Sequence, residues 1–204
     1  MIAIIDYDIG NLGAIANMFG RLGVESAITR DPDLVAKAER IILPGNGAFD
    51  ACMNGLNGTG LVPLLDERVR GAGVPLLGIC VGAQMLGRGS EEGQMPGLGW
   101  LDFDVRRFPA LEGLKIPHMG WNEVRIEQQQ HPLTRGMTAD SRYYFVHSYY
   151  IETDRPDDRL LTAHYGVDFA AAVASKNISG VQFHPEKSHR FGKALLGNFA
   201  KGTA

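Results

Sequence analysis

Three side chains from two distant stretches of the sequence have the types and surroundings that covalent catalysis by a thiol requires. The first is Cys80, in Gly78-Ile79-Cys80-Val81-Gly82. A mostly apolar run, Val74 to Ile79, leads up to it, and a helix-compatible run, Val81 to Leu86, follows. That is the pattern of a nucleophile elbow, in which a buried strand turns sharply into a helix. Glycines two positions either side suit such a turn, because its backbone is strained and other chain passes close by. A thiol placed there faces backbone N–H groups and the positive end of a helix dipole, which favour the thiolate. The N–H of Val81 can also hold an oxyanion. The competing explanation is a buried structural cysteine at a strand end, the usual role of a free cysteine.

A thiolate nucleophile needs a base, and the base needs a group that orients it. The candidates are His118, His131, His147, His164, His184 and His189. His184 ends the apolar run of Gly180-Val181-Gln182-Phe183-His184-Pro185-Glu186 and so belongs at the edge of a sheet. Across the turn set by Pro185, Glu186 can reach the second ring nitrogen and select the tautomer. A lone histidine beside a proline reads as a surface residue, whereas this one, with an elbow cysteine and an adjacent carboxylate, reads as part of a Cys-His-Glu triad. Cys52, in Phe49-Asp50-Ala51-Cys52-Met53, has neither a base nor an elbow and reads as structural. Gly45-Asn46-Gly47 resembles the start of a dinucleotide loop, but the third glycine falls on Asp50. A loop that offers backbone N–H groups to an anion is the better reading.

The elements that must position these groups follow from hydrophobic period. Ile2–Ile5 and the run before Cys80 read as buried strands, and Ser26–Thr29 and Arg40–Leu43 as two further strands. Helical patterns lie between them: one on Leu12, Ile15, Ala16, Phe19 and Leu22, closed by Gly23; one opened by Asp31-Pro32-Asp33; one over Leu61–Val69. Alternation of this kind makes an α/β fold with a mostly parallel central sheet and helices on both faces. The Pro44–Gly47 loop and Cys80 then both fall at the carboxyl ends of strands, where such sheets carry their functional loops. Beyond Trp100 the pattern changes to short alternating strands, Leu101–Phe108, Glu123–Ile126, Tyr143–Tyr150, Arg159–His164, Phe169–Ala174 and Ile178–Phe183, which suggests antiparallel pairing. Glu127–Asp140 reads as a surface loop and Arg190–Phe199 as a closing helix.

Composition excludes several function classes. The 204 residues, 45% hydrophobic and 21% charged, suit one globular domain over 1–204. A net charge of −3 gives no reason to expect nucleic acid or an anionic membrane. Two cysteines without a C-x-x-C argue against a disulfide framework or a zinc site, and no cofactor is called for. Met1-Ile2-Ala3-Ile4-Ile5 enters a strand at once, without a signal-peptide pattern, and no apolar run is long enough to span a bilayer. A reducing cytoplasm is the expected location.

The elbow, the Pro44–Gly47 loop and Phe183-His184-Pro185-Glu186 together resemble the class I (triad) glutamine amidotransferases, whose fold is flavodoxin-like. Pro117-His118-Met119-Gly120-Trp121-Asn122 and Tyr144-Phe145-Val146-His147-Ser148-Tyr149-Tyr150 narrow the resemblance to the glutaminase subunit of imidazole glycerol phosphate synthase, from histidine biosynthesis. The resemblance runs in order over nearly the whole chain. It implies a Cys80 nucleophile, a His184 base oriented by Glu186, and an oxyanion hole formed by Asn46, Gly47 and Val81. It implies that Gln84, Glu92, Ser148 and Tyr149 hold glutamine. It further implies a heterodimer with a (β/α)₈-barrel cyclase that receives the ammonia, with Trp121, Asn122, Tyr144 and Lys187 at the interface.

Three positions depart from that family. Asn46 replaces a small apolar residue; asparagine tolerates left-handed backbone angles, so it is expected to loosen the loop and raise activity without the partner. Asp8 stands where glycine is usual. The stretch Ser188-His189-Arg190-Phe191-Gly192 looks more like paralogues that supply ammonia for amidino groups on bacterial surface sugars. Two other classes compete: an inactive scaffold on the same fold, which would be expected to lack a triad member, and another cysteine hydrolase on a similar sheet.

Overall fold

Strand β1 (Ile2–Ile5) is buried along its whole length and anchors the fold in a computed structural model that describes residues 1–202. It pairs in parallel with β2 (Ser26–Thr29) on one side and β3 (Arg40–Leu43) on the other. Next to β3 lies β4 (Leu76–Ile79), again parallel. The near-continuous Ile and Leu content of β1, β3 and β4 is what a strand covered on both faces requires, whereas β2, at the end of the sheet, leaves Ile28 exposed. Helix α1 (Leu12–Arg21) turns Ile15, Met18 and Phe19 inward. It ends in a Schellman motif, with Gly23 at φ 68° and its N–H bonded to Gly20, and Val24 N–H bonded to Phe19. Helix α2 (Pro32–Lys37) is capped by the Asp31 carboxylate, which accepts from the Asp33 N–H at 2.9 Å. Helix α3 (Phe49–Gly58) buries Phe49, Cys52, Met53 and Leu56.

Helix α4 (Val62–Asp66) continues to Gly71 through a widened last turn, two residues beyond the expected end. The one-turn α5 (Val81–Gln84) follows Cys80 directly. Right-handed crossovers put α1 on one face of the sheet and α2 to α4 on the other. The terminal α6 (His189–Lys201) packs beside α1.

The second half of the chain adds β5 (Phe103–Arg107), β9 (Tyr149–Thr153), β10 (Arg159–Tyr165), β11 (Val167–Ser175) and β12 (Ile178–Val181) to the same sheet, together with the short β7 (Arg125–Ile126). The main order is β2-β1-β3-β4-β12-β11-β10-β7, with β9 joining β11 to β5. Antiparallel pairing holds throughout this half except on one side of β12, which lies parallel to β4 and antiparallel to β11. Strand β12 therefore joins the two halves and carries His184 to the same sheet edge as Cys80.

Three expectations change. Tyr143–Tyr150 is two strands, because the chain breaks at Ser148. Strand β8 (Arg142–His147) leaves the main sheet to pair with β6 (His118–Glu123). Strand β6 was not anticipated; its His-Met-Gly-Trp-Asn-Glu sequence has little β-propensity, and a single partner holds it. The 127–140 segment is not wholly superficial, since Leu133, Thr134 and Met137 are buried.

Candidate active site

Four carboxyl-terminal strand ends converge on one place. Tyr7 follows β1, Pro44–Gly47 follow β3, Cys80 follows β4, and Gln182 and His184 follow β12. The elbow at Cys80 has φ 55°, a strained left-handed geometry for a residue with a side chain. Its N–H is held by the Val181 carbonyl at 2.8 Å. The flanking glycines are needed for close approach. A methyl group on Gly82 would overlap the Leu43 carbonyl, and one on Gly78 would lie 2.7 Å from Ala83 Cα. A methyl on Gly45 would meet Val81 and Gly82 in turn. The Pro44–Gly47 loop and the elbow are thus packed backbone against backbone.

Cys80 is 3% exposed. The buried Glu186 carboxylate accepts from His184 Nδ1 at 2.8 Å, which leaves Nε2 as the free ring nitrogen. Nε2 and Glu186 Oε2 have no hydrogen-bond partner among the described residues. Burial alone would lower the imidazole pKa, but the Cys80 sulfur and Glu186 more than reverse this and raise it to about 10. The turn that carries His184 is clamped to β8: His184 N–H donates to the Tyr144 carbonyl at 2.9 Å, and Ser188 Oγ donates to the His184 carbonyl at 2.6 Å.

Cys80 opens on a cavity of about 230 Å³ lined by Asn46, Gly47, Val81, Gln84, Glu92, Pro117, Val146, His147, Ser148 and Tyr149. Every oxyanion and glutamine-holding residue expected from the sequence is in that wall. Neither the Val81 nor the Gly47 N–H has an acceptor among the described residues. Glu92 Oε2 accepts from the Phe49 N–H at 2.9 Å, tying the loop of residues 90–95 to the start of α3. Asp50 reciprocates by accepting from the Gln94 and Met95 N–H groups.

Comparison with known proteins decides the family. The sequence profile described as glutamine amidotransferase class-I matches residues 3–202. The chain belongs to the class I glutamine amidotransferases. Two similar curated proteins are "Imidazole glycerol phosphate synthase subunit HisH 2" of Pseudomonas aeruginosa and the HisH subunit of Bdellovibrio bacteriovorus. Each is 49% identical and aligns with 98% of this chain; the alignments cover 99% and 100% of those proteins. Among solved structures, the PurLQS complex of Thermotoga maritima matches with a TM-score of 0.73 at 18% identity, covering 97% of this chain and 96% of that one. That match reports the fold.

Several expectations for this amidotransferase are refined by the geometry. Helix α5 is a single turn, so its macrodipole is small. The left-handed residue of the Pro44–Gly47 loop is Gly47, at φ 117°, and not Asn46. The tolerance of asparagine for such angles is therefore not used in this state. Asp8 is left-handed at φ 64°, which explains why glycine is usual there, and Arg30 bonds both Asp6 and Asp8.

The four expected interface residues divide. Trp121 and Tyr144 lie opposite each other across β6 and β8, and Lys187 Nζ sits 5.9 Å above the Tyr144 ring. Asn122 is on the other face of β6, as alternation requires, and bonds His118 and the His164 carbonyl. Cys52 is buried with its thiol pushed up to about 11, burial outweighing the lowering by the Asn46 N–H and Tyr7. It is a neutral core residue.

Two positioning groups escaped the sequence reading. The Tyr7 hydroxyl donates to the Pro44 carbonyl at the root of the Pro44–Gly47 loop. The amide of Gln182, fully buried, lies 3.9 Å from Cys80 Sγ. A glutamine inside the buried run Val181 to Phe183 was a usable signal, because buried amides must find partners.

The raised His184 pKa makes a linkage prediction. The folded chain binds its proton more tightly than the unfolded chain, whose value is near 6.5. The stability this contributes is complete below pH 6.5 and is lost as the pH rises towards about 10. Urea unfolding across that window is expected to give a falling unfolding free energy for the wild type and a flatter profile for His184→Gln. Parallel profiles would contradict the assignment.

Proposed function

We propose that this chain is the glutaminase subunit of an imidazole glycerol phosphate synthase. It hydrolyses glutamine and passes the ammonia to a (β/α)₈-barrel cyclase in histidine biosynthesis. The observation that carries the reading is Cys80 at the wall of a glutamine-sized cavity, with the buried His184–Glu186 pair acting on its sulfur. The two HisH proteins at 49% identity over 98% of the chain support the pathway.

The chemistry follows from the protonation states. His184 takes the thiol proton, and Cys80 Sγ attacks the side-chain amide carbon of glutamine. The Val81 N–H, joined by an N–H of the Asn46-Gly47 loop, holds the tetrahedral oxyanion. His184 Nε2 donates its proton to the departing nitrogen, the C–N bond breaks, and ammonia leaves a γ-glutamyl thioester. His184 then accepts a proton from water as that water attacks the thioester, and collapse releases glutamate and restores Cys80. Glu186 keeps the proton on Nδ1 throughout.

Gln84 donates both amide hydrogens inward, to the Tyr149 carbonyl at 3.1 Å and to Gln182 Oε1 at 3.0 Å. Its Oε1 is therefore the atom offered to the substrate. Glu92 keeps Oε1 for the substrate ammonium, and Ser148 and Tyr149 form the opposite wall. Outside the cavity, Met119 and Trp121 alternate on one face of β6 and are 62% and 44% exposed. Two large apolar side chains beside Tyr144 and Lys187 suit a docking surface for the cyclase.

Glutamate release by the chain alone and with a histidine-pathway cyclase tests the proposal. Strong stimulation by the cyclase and its ligand is expected. Glutaminase activity indifferent to the cyclase would move the acceptor elsewhere, for example to the surface-sugar paralogues. No activity in either condition would favour an inactive scaffold.

A further inference from the structure

We propose that His118 and His147 are positioning residues of the glutaminase site. They form a hydrogen-bond relay that runs from Asn122 to the Tyr149 carbonyl, the acceptor on which the Gln84 amide, and through it Gln182 against Cys80, also depends. The inference rests on the glutaminase reading and goes beyond it, since neither histidine belongs to the triad.

The direction of the relay is forced by chemistry. The Tyr149 carbonyl can only accept, so His147 Nδ1, 2.8 Å away, carries the proton. Both imidazoles are buried, and burial pushes His147 down to about 3 and His118 down to about 4, so each is neutral at pH 7. The bare Nε2 of His147 must then accept from His118 Nδ1 at 3.0 Å. That leaves His118 Nε2 bare, and Asn122 Nδ2 donates to it at 3.3 Å. The second hydrogen of Asn122 goes to the His164 carbonyl at 2.9 Å.

At the other end the Tyr149 carbonyl also accepts from Gln84 Nε2, and the remaining hydrogen of Gln84 goes to Gln182 Oε1. Gln182 can then present only its NH₂ group to the Cys80 sulfur. Each tautomer and each amide orientation along this path has one solution. The two branches meet at the Tyr149 carbonyl, so loss of the His118 donor leaves His147 Nε2 without a partner and loosens the carbonyl that also holds the Gln84 amide, which is the behaviour of a network whose members support one another.

His118 gives a clean test because it does not line the cavity. It stacks on Phe145 at 4.9 Å and on Tyr165 at 4.1 Å. His118→Phe keeps the stacking and removes the donor; His118→Asn keeps a donor near the Nδ1 position and removes the ring. If the relay positions the site, kcat/KM for glutamine falls about tenfold in His118→Phe, mainly through KM, and His118→Asn recovers most of it. A role in packing alone predicts the reverse order. That order, or a wild-type KM in His118→Phe, overturns the proposal.

A second readout does not depend on either variant folding. Nitrogen-15 NMR of the unmodified chain should report protonated Nδ1 and bare Nε2 on both rings, the less common tautomer in water. A proton on either Nε2 also overturns the relay. A wild-type chain that hydrolyses no glutamine would instead overturn the glutaminase reading on which the positioning role rests.

Discussion

Replacing Cys80 by alanine is expected to lower glutamine hydrolysis by at least about 10⁴-fold, with the fold and melting temperature essentially kept. The size of the loss follows from what remains. Alanine leaves the oxyanion donors, the cavity and the His184–Glu186 pair in place, so glutamine still binds, but no nucleophile reaches its amide carbon. His184 cannot compensate, because its part is to move protons and not to form the thioester bond. Cys52→Ala is the matched control. Its thiol is buried on α3 and held neutral, so hydrolysis is expected close to the wild-type rate. A glutamine-like electrophile should add its mass to Cys80 and not to Cys52. Residual hydrolysis within about tenfold of wild type in Cys80→Ala, a change of only ~1.4 kcal/mol, would remove the cysteine from the mechanism. So would labelling at Cys52.

What could be read before the structure divides along a physical line. The parallel half was legible because β1, β3 and β4 are apolar runs buried in the sheet, and α1 and α2 carry their own stop and start, Gly23 and Asp31. The elbow was legible for the same local reason: Gly78, Cys80 and Gly82 are neighbours in sequence. The break at Ser148 was not. Tyr143 to Tyr150 is rich in strand-favouring aromatic residues from end to end, and only pairing with β6 on one side and with β5 and β11 on the other divides it into two strands.

The same limit applies within the site. Asn122 was grouped with Trp121 by sequence motif, yet adjacent residues on a strand face opposite ways, and register is a property of the pair. The relay through His118 and His147 joins residues 29 apart, and nothing local in either segment announces the other.

Gly82→Ala is expected to destabilise the chain by at least ~3 kcal/mol, the upper range for overpacking. The reason is the identity of the atoms in the way. An added methyl at Gly82 overlaps the carbonyl of Leu43 and comes within 2.8 Å of the Pro44 carbonyl carbon, all backbone of β3 and the loop that follows it. A flexible side chain could rotate aside; a buried central strand cannot. Gly197→Ala on α6 is the contrast, since its nearest neighbour is a Leu22 methyl at 3.4 Å and the helix should gain slightly from alanine. Urea denaturation of both variants separates the two cases.

If Gly82→Ala folds with near-wild-type stability, the Pro44–Gly47 loop has moved to make room. Hydrolysis should then fall by about 10²–10³, the loss associated with one oxyanion donor. A variant that kept both stability and activity would show that contact between the loop and the elbow is not what builds the oxyanion site. In that case the Val81 N–H would have to hold the oxyanion without the loop.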